Sequence, residues 1–199
     1  MAFGTKSQKI DFIRVALTLF AITAIVAAVL AVANYFTAPI VAQSAKERLD
    51  RSLQTLMADA KSFETVSGFE TRVTVGNTKV PVAAVYAAKD ASGAVIGHCV
   101  EVTPSGYSDL IDMIVAVNSA GAVSGVQILS ISDTPGIGMK VQSDEVFQKS
   151  VNGLNEPAVI VKSKPSAKNE VQVISGATIS SSAYINGVSA ALEVVQKLD

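Results

Sequence analysis

The chain has 199 residues, and about 155 of them follow an apolar N-terminal segment, which is enough for one domain with a hydrophobic core. The charges nearly balance, with 16 basic and 17 acidic residues, no basic cluster and no Trp, so we expect no nucleic-acid partner. A single Cys99 and a single His98 exclude an intramolecular disulfide and a metal site built on Cys and His spacing, and we interpret both as structural.

An uncharged segment near the N-terminus predicts a transmembrane helix. No charged residue occurs in residues 15–45, and residues 15–33 are apolar apart from two threonines. At about 1.5 Å per residue, this stretch approaches the ~30 Å thickness of the hydrocarbon core of a bilayer. We therefore predict a single membrane-spanning helix over residues 15–36.

The charges that precede this helix predict its orientation. Residues 1–14 carry three basic residues and one acidic residue, so the positive-inside rule places them in the cytoplasm and the rest of the chain outside it. A cleaved signal peptide is the competing interpretation, because Ala31-Val32-Ala33 has the small-x-small form of a cleavage site. We favour a retained anchor, since the apolar run is longer than the core of about 7 to 15 residues found in signal peptides.

Residues 37–66 are expected to form a stalk that docks on the following domain. Pro39 should break or kink the first helix, and Ser44-Ala45-Lys46-Glu47 has the form of a capping box that starts a second one. The second helix should continue to Lys61, because four apolar residues recur at helical spacing: Leu49, Leu53, Leu56 and Ala60.

Residues 67–199 are predicted to form one α+β domain with a mainly antiparallel sheet. Its first half contains short segments of alternating polarity, and the alternation is clearest at Ile111, Met113, Val115 and Val117. The predicted strands cover residues 71–75, 80–88, 94–102, 110–117 and 123–131. Asn118-Ser119-Ala120-Gly121 supplies the turn residues that would join the last two strands as a hairpin.

The remaining elements are predicted from turn residues and helical spacing. Residues 132–138 contain a Pro and two Gly, which forbid regular structure there. Ser143 is expected to cap a short helix, and two more strands are predicted over residues 158–161 and 171–174. A closing helix should pack against the sheet through one apolar face, formed by Ile185, Val188, Leu192 and Val195.

Residues 173–182 are the candidate functional segment, because a short strand runs there into a Gly-centred turn and a Ser/Thr-rich helix start. The unpaired N–H groups and partial positive charge of a helix N-terminus suit a phosphate, and Gly176 lacks the Cβ that would block its close approach. Thr178 adds a hydroxyl to this site. The local composition alone also fits a capped turn without a ligand.

Two separated motifs and a Gly-Tyr pair together indicate a family. Ser175-Gly176-Ala177-Thr178-Ile179-Ser180 resembles the flavinylation motif of the membrane-anchored FMN-binding domains. Thr134-Pro135-Gly136-Ile137-Gly138 resembles the second signature of that family, and it follows Gly106-Tyr107 in the expected order. The chain is most similar to the G subunits of the Rnf electron-transport complexes, with the C subunits of the Na+-translocating NADH:quinone reductases as close relatives. It departs from the family pattern at Asp133, where Glu is common, and at Ile131, where His is common.

The resemblance implies FMN as the cofactor, joined through a phosphoester to the hydroxyl of Thr178. It also implies that the phosphate site is shaped by Ser175, Gly176, Ala177 and Ser180. The ring would lie along a second set of residues, formed by Thr134, Pro135, Gly136, Ile137 and Gly138, with Tyr107 as a further cofactor contact. Because a flavin performs the redox chemistry itself, neither a catalytic triad nor a metal is required of this chain.

The function implied is that of an electron-carrier subunit of an ion-translocating ferredoxin:NAD+ oxidoreductase, on the extracytoplasmic side of the cell membrane. The implied partners are the other membrane subunits of the complex, the lipid bilayer, and a flavin transferase that uses FAD and Mg2+ to attach the cofactor. Two alternatives stay open. One is the equivalent subunit of the quinone reductase, and the other is a non-redox, membrane-anchored extracytoplasmic binding module.

Overall fold

The computed structural model describes residues 5–198, so residues 1–4 of the predicted cytoplasmic segment, and Asp199, lie outside the described residues. Helix α1 (Thr5–Leu56) is 52 residues long and continues through Pro39. The new helix predicted to start at Ser44 is therefore wrong. A proline removes one backbone donor, and the residues on both sides keep their own helical hydrogen bonds, so the helix is maintained.

The chain divides into two compact units, residues 1–47 and residues 48–199. In the first unit, all side chains from residue 12 to residue 43 are exposed, and large apolar ones such as Phe20 and Leu30 are among them. Among the described residues, Phe12–Leu56 is the one helical stretch that is long and apolar enough to cross a membrane, judged by length and composition. A helix with apolar side chains on every face needs an apolar environment.

The second unit is built on an antiparallel sheet with the strand order β1-β3-β4-β5-β6, in which β2 also pairs with β3. The strands are β1 (Ser62–Thr65), β2 (Arg72–Val75), β3 (Thr78–Lys89), β4 (Val95–Val102), β5 (Ile111–Asn118) and β6 (Val123–Ile131). The predicted hairpin between β5 and β6 is confirmed, because the Gly121 N–H donates to the Asn118 carbonyl at 2.9 Å. Strand β1 has no predicted counterpart, since its four residues show no apolar alternation.

Helices and two short strands follow the sheet in the chain: α2 (Lys140–Ser143), α3 (Glu145–Lys149), β7 (Val159–Val161), β8 (Glu170–Gln172) and α4 (Thr178–Gln196). Strands β7 and β8 form a separate parallel pair. Asp144, not Ser143, caps α3, because the extended Asp144 backbone ends α2 and its side chain accepts the Phe147 N–H at 3.0 Å. Helix α1 ends before the predicted Lys61, since the Lys61 N–H donates to the Lys89 carbonyl of β3 at 2.7 Å.

The alternation along β5 divides the core into two layers. Its odd-numbered apolar residues pack with the buried face of α4, formed as predicted by Ile185, Val188, Leu192 and Val195. Its even-numbered residues Ile114 and Ala116 pack on the opposite face with Leu53, Met57 and Ala60. Burial of each large apolar side chain contributes about 1.5–3 kcal/mol. Helix α4 is thereby anchored along its length, which also holds its first turn in place.

Candidate functional site

A cavity of about 430 Å³ lies where three segments of the chain meet. The segments are the connection between β4 and β5, the turn that follows β6, and the start of α4. The residues that line it are Tyr107, Thr134, Ile137, Gly138, Gly176, Ala177, Thr178, Ile179 and Ser180. Ligand clefts measure roughly 300–1,000 Å³, so the cavity has room for one organic molecule of moderate size.

The turn before α4 leaves the first N–H groups of the helix unpaired. Gly176 has a φ of 82°, in the left-handed region that other residues rarely adopt, and the Ala177 N–H closes the turn onto the Ile174 carbonyl at 3.0 Å. Ala177 is the N-cap residue and offers no side-chain acceptor. The N–H groups of the first turn therefore have no intrahelical partner and carry the partial positive charge of the helix end. An anion would be stabilised at this end of the cavity.

Three hydroxyl side chains lie in the first turn of α4, and their surroundings differ. Ser180 is 2% exposed, and its hydroxyl donates to Asp133 Oδ2 at 2.6 Å. Ser181 is fully buried, and its Oγ accepts the Ile174 N–H at 3.1 Å. Thr178 is exposed and lines the cavity, and its hydroxyl has no hydrogen-bond partner among residues 5–198. Within this turn, Thr178 thus offers the accessible hydroxyl.

Gly138 brings the turn after β6 into close contact with α4. A Cβ at this position would lie 2.6 Å from Asp133 Cβ and 2.8 Å from Ser180 Oγ. Both distances are shorter than van der Waals contact allows, so a side chain here would push the turn away from the helix. The φ of Gly138 is not positive, and the requirement for glycine at this position is therefore one of space.

Asp133 is a buried carboxylate next to the cavity and is 3% exposed. Its Oδ1 accepts the Ser108 N–H at 2.7 Å, and its Oδ2 accepts the Tyr107 N–H at 3.3 Å in addition to the Ser180 hydroxyl. Burial by itself raises the pKa of Asp133, but the hydrogen bonds from Ser108, Ser180 and Tyr107 outweigh it, and the pKa lies below its usual range. The carboxylate is therefore charged at neutral pH.

The structure brings together eight of the eleven residues that the sequence proposed for the cofactor: Tyr107, Thr134, Ile137, Gly138, Gly176, Ala177, Thr178 and Ser180. Pro135 and Gly136 belong to the same turn but do not line the cavity. Ser175 borders a neighbouring cleft instead, together with Gln172 and Ile174. The grouping concerns geometry, and the role of each residue toward a cofactor stays a prediction.

Two residues of this region have a place at the cavity that their local sequence does not indicate. Ile179 lines the cavity and is 53% exposed, although an apolar residue in a helix usually indicates a core position. Asp133 was noted only as a departure from the family pattern, and its hydrogen-bond partners lie 25 to 47 positions away in the chain. The available signal was an acidic residue two positions before Pro135-Gly136.

The side chains that line the cavity are mostly apolar or carry hydroxyls. Within the described part of the chain, no group of three or more His, Cys, Asp or Glu residues is placed to hold a metal ion. Cys99 does not line the cavity, since it is buried in the layer with Leu53 and Met57, where burial raises its pKa to about 12. The cavity therefore offers the free hydroxyl of Thr178, the unpaired N–H donors at the start of α4, and exposed apolar side chains. This combination suits a ligand with a phosphate at one end and an apolar ring at the other.

Comparison with known proteins agrees with this chemistry. Residues 106–193 match the model of the FMN-binding domain. The chain is 31% identical to the G subunit of the Na(+)-translocating ferredoxin:NAD(+) oxidoreductase complex of Acetobacterium woodii, over 93% of this chain and 92% of that protein. It is 30% identical to the G subunit of the ion-translocating oxidoreductase complex of Methanosarcina acetivorans, over 95% of this chain and 97% of that protein.

One solved structure, the crystal structure of Shewanella oneidensis NqrC, is similar at a TM-score of 0.44 and 20% identity, over 66% of this chain and 65% of that one. The conclusion about the family rests on the two relatives, whose alignments with this chain extend over almost their whole length. The resemblance read from the motifs is thereby confirmed: the chain belongs to the family of G subunits of the ion-translocating oxidoreductase complexes, and its residues 106–193 match the FMN-binding domain.

Proposed function

We propose that this protein is an electron-carrier subunit of a membrane-bound, ion-translocating oxidoreductase of the ferredoxin:NAD+ type, with FMN linked to Thr178. Its relatives are named as G subunits of such complexes, and residues 106–193 match the FMN-binding domain. The observation that carries the proposal is the exposed Thr178 hydroxyl at the start of α4, inside a cavity that Tyr107 and the turn after β6 complete.

The residues that line the cavity fit FMN chemically. The N–H groups of Thr178, Ile179 and Ser180 would hold the phosphate at the positive end of α4. Tyr107 and Ile137, which are 68% and 52% exposed, would cover the apolar ring. Once bound, FMN would supply the redox chemistry, and the chain would orient it and limit the access of water.

The other predicted residues would act through the backbone. Gly176 would allow the phosphate to approach the turn closely, while Ser175 and Ala177 would set the shape of that turn. The remaining contacts would come from the segment after β6: Thr134, Pro135, Gly136 and Gly138. These residues form a tight turn, and the turn would leave space beside it for the flat flavin ring.

The covalent link would form at Thr178 Oγ. In this step Thr178 Oγ forms a bond to the flavin-side phosphorus of FAD, the pyrophosphate bond breaks, AMP leaves, and the hydroxyl proton is released to a base of the transferase. A separate flavin transferase using FAD and Mg2+ would catalyse this step and supply the base that takes up the hydroxyl proton. A link of this kind keeps the cofactor at its site whatever the intrinsic affinity of the cavity.

An N-terminal apolar helix, together with relatives named as subunits of ion-translocating complexes, indicates that the protein associates with a membrane. The proposed span is residues 15–36, with residues 1–14 in the cytoplasm because of their basic excess. Residues 37–66 would link the span to residues 67–199, on the extracytoplasmic side where the flavin transferase acts. The apolar surface of the span would contact lipid and the helices of other subunits.

Mass spectrometry of the protein from its native membrane tests the proposal. The tryptic peptide that contains Thr178 should be heavier by the mass of FMN minus water, and fragmentation should place the addition on Thr178. An unmodified Thr178 peptide from the native complex would contradict the proposal.

A Thr178→Val variant, produced together with the transferase, provides the matched test. Valine keeps the volume of threonine and removes the hydroxyl, so the protein should fold and lose its flavin fluorescence in a denaturing gel. Thr74→Val is the control, since Thr74 is an exposed threonine of β2 that does not line the cavity, and it should retain the fluorescence. Fluorescence of the Thr178→Val band under denaturing conditions would show that the attachment residue is misassigned.

A further inference from the structure

A single carboxylate connects the three segments that form the cavity. Asp133 directly follows the end of β6 and precedes the turn that supplies Thr134 to the cavity. Its Oδ1 binds the connection between β4 and β5 through the Ser108 N–H at 2.7 Å. Its Oδ2 binds the first turn of α4 through the Ser180 hydroxyl at 2.6 Å. No other side chain of the described residues forms hydrogen bonds to both of these segments.

The packing around Asp133 is as specific as its hydrogen bonds. A Cβ added at Gly106 would lie 2.9 Å from Asp133 Oδ2, and one added at Gly138 would lie 3.0 Å from the same oxygen. The carboxylate is therefore enclosed by two glycines that no larger residue could replace without moving it. At 3% exposure, solvent does not compete for its hydrogen bonds.

The hydrogen bond to Asp133 also distinguishes Ser180 from the other two hydroxyl side chains in the first turn of α4. The Ser180 hydroxyl has one proton, and it is donated to Asp133 while the Ser180 side chain is almost completely buried. Ser181 is fully buried and accepts a backbone N–H. Thr178 is exposed and lines the cavity, and its hydroxyl is free of such hydrogen bonds among residues 5–198.

We propose that Asp133 is the positioning residue of this cavity: its carboxylate holds the three segments together and takes up the Ser180 hydroxyl, so that Thr178 is presented as the hydroxyl to be modified. The inference rests on the proposed attachment of FMN and assigns the residue that prepares the site for it. Asp133 acts through its hydrogen bonds with Ser180, Tyr107 and Ser108, and not through a hydrogen bond to Thr178.

The charge of Asp133, and not only its shape, is required by these contacts. Both oxygens accept hydrogen bonds, and the pKa below the usual range agrees with a carboxylate that stays ionised in the folded protein. In Asp133→Asn, an amide NH2 replaces one carboxylate oxygen and cannot accept a hydrogen bond. The Ser108 N–H loses its acceptor if the NH2 replaces Oδ1, and the Tyr107 N–H loses its acceptor if the NH2 replaces Oδ2. If the NH2 replaces Oδ2, the Ser180 oxygen becomes an acceptor and its proton is released from the buried contact.

The experiment measures the initial rate of flavin attachment to the full-length chain in membranes, with FAD and the purified flavin transferase. Asp133→Asn should lower the rate at Thr178 by about 10- to 100-fold, because a displacement near 1 Å has effects of this size on reactions between positioned groups. Asp133→Glu, which keeps the charge but adds a methylene, should recover part of the rate. Asp59→Asn, an exposed carboxylate that takes no part in these contacts, is the charge control and should match the wild type.

The relative attachment rates of Asp133→Asn and Asp133→Glu distinguish a positioning charge from a side chain that only fills space. If Asp133 served only to fill space, the larger Glu would be worse than the isosteric Asn. The positioning role predicts faster flavin attachment in Asp133→Glu than in Asp133→Asn. A faster rate in Asp133→Asn would overturn the proposal. Wild-type attachment at Thr178 in Asp133→Asn would overturn it as well.

A second variant keeps the test decisive if Asp133→Asn does not fold. Ser180→Ala removes one donor and leaves the Asp133 carboxylate bound to Ser108 and Tyr107. It should lower the rate several-fold, whereas Ser182→Ala in the same helix, outside these contacts, should not. Equal rates for the two alanine variants would reject the inference. A wild-type chain that remains unmodified at Thr178 would instead reject the proposed function, so the two failures are distinguishable.

Discussion

Gly138→Ala tests directly how the cavity is assembled. The new methyl group would lie 2.6 Å from Asp133 Cβ and 2.8 Å from Ser180 Oγ, whereas nonbonded carbon atoms are normally about 3.5–4.0 Å apart. Neither neighbour can move freely, because Asp133 is held by Ser108 and Tyr107 and Ser180 lies in the first turn of α4. The turn after β6 must therefore shift away from the helix by about 1 Å.

The expected cost follows from this overlap. Overpacking of a buried site costs about 1–3 kcal/mol, and the entropy lost by the unfolded chain on changing Gly to Ala offsets at most about 1 kcal/mol of it. For a domain of about 150 residues, each kcal/mol corresponds to roughly 2–4 °C in melting temperature. We expect Gly138→Ala to melt several degrees below the wild type and to be loaded with flavin less efficiently.

Thermal unfolding of the full-length protein in detergent, followed by far-UV circular dichroism, measures this change, and in-gel fluorescence measures the loading. Gly176→Ala is a comparison with a different mechanism, since its Cβ would meet nothing within 4 Å but its φ is 82°. Adding Ser180→Ala should relieve part of the Gly138→Ala penalty and none of the Gly176→Ala penalty. A Gly138→Ala protein with an unchanged melting temperature and full loading would refute the argument.

Two further predictions concern the other side of the sheet. Asp112 Oδ1 is buried without a hydrogen-bond partner among residues 5–198, and burial raises the pKa of Asp112, so the folded state binds this proton more tightly than the unfolded state does. The free energy of unfolding should thus fall as the pH rises from about 4 through the raised pKa. In urea titrations, Asp112→Asn should therefore stabilise the protein at pH 7 but not below pH ~4. An equal effect at both pH values would contradict this reasoning. Leu53→Ala, at a position 2% exposed between α1 and the sheet, should lower the free energy of unfolding by about 2–5 kcal/mol without changing flavin loading of the folded protein, and reduced loading would contradict the separation of the two layers.

Elements whose signal is local could be predicted well. The alternation at Ile111, Met113, Val115 and Val117 identified a strand with one face in the core, and these residues are all fully buried. The apolar face of α4 was likewise readable, because residues three and four apart lie on one side of a helix. The Gly-centred turn before Thr178 was predicted for a similar reason, since its backbone conformation depends on the residue at that position.

Elements that depend on distant partners could not be predicted in the same way. Pro39 suggested an interruption, but α1 continues through it, since the loss of one donor does not remove the hydrogen bonds on either side. Helix α1 ends at Leu56, and the Lys61 N–H instead bonds to Lys89 in β3, which is 28 positions later in the chain. Strand β1 forms because β3 extends far enough to pair with it, although its own sequence shows no strand pattern.

The membrane-length apolar segment, the alternation of the sheet and the turn before α4 could be read from the sequence, because each depends on residues close together in the chain. Thr178 became the candidate hydroxyl through the family resemblance of its motif. Only the fold shows that Ser175 borders a different cleft from Tyr107 and Thr178, and that the Ser180 hydroxyl is bound by Asp133. No local pattern specifies these contacts, because Asp133 is buried among donors that lie 25 to 47 positions away in the chain.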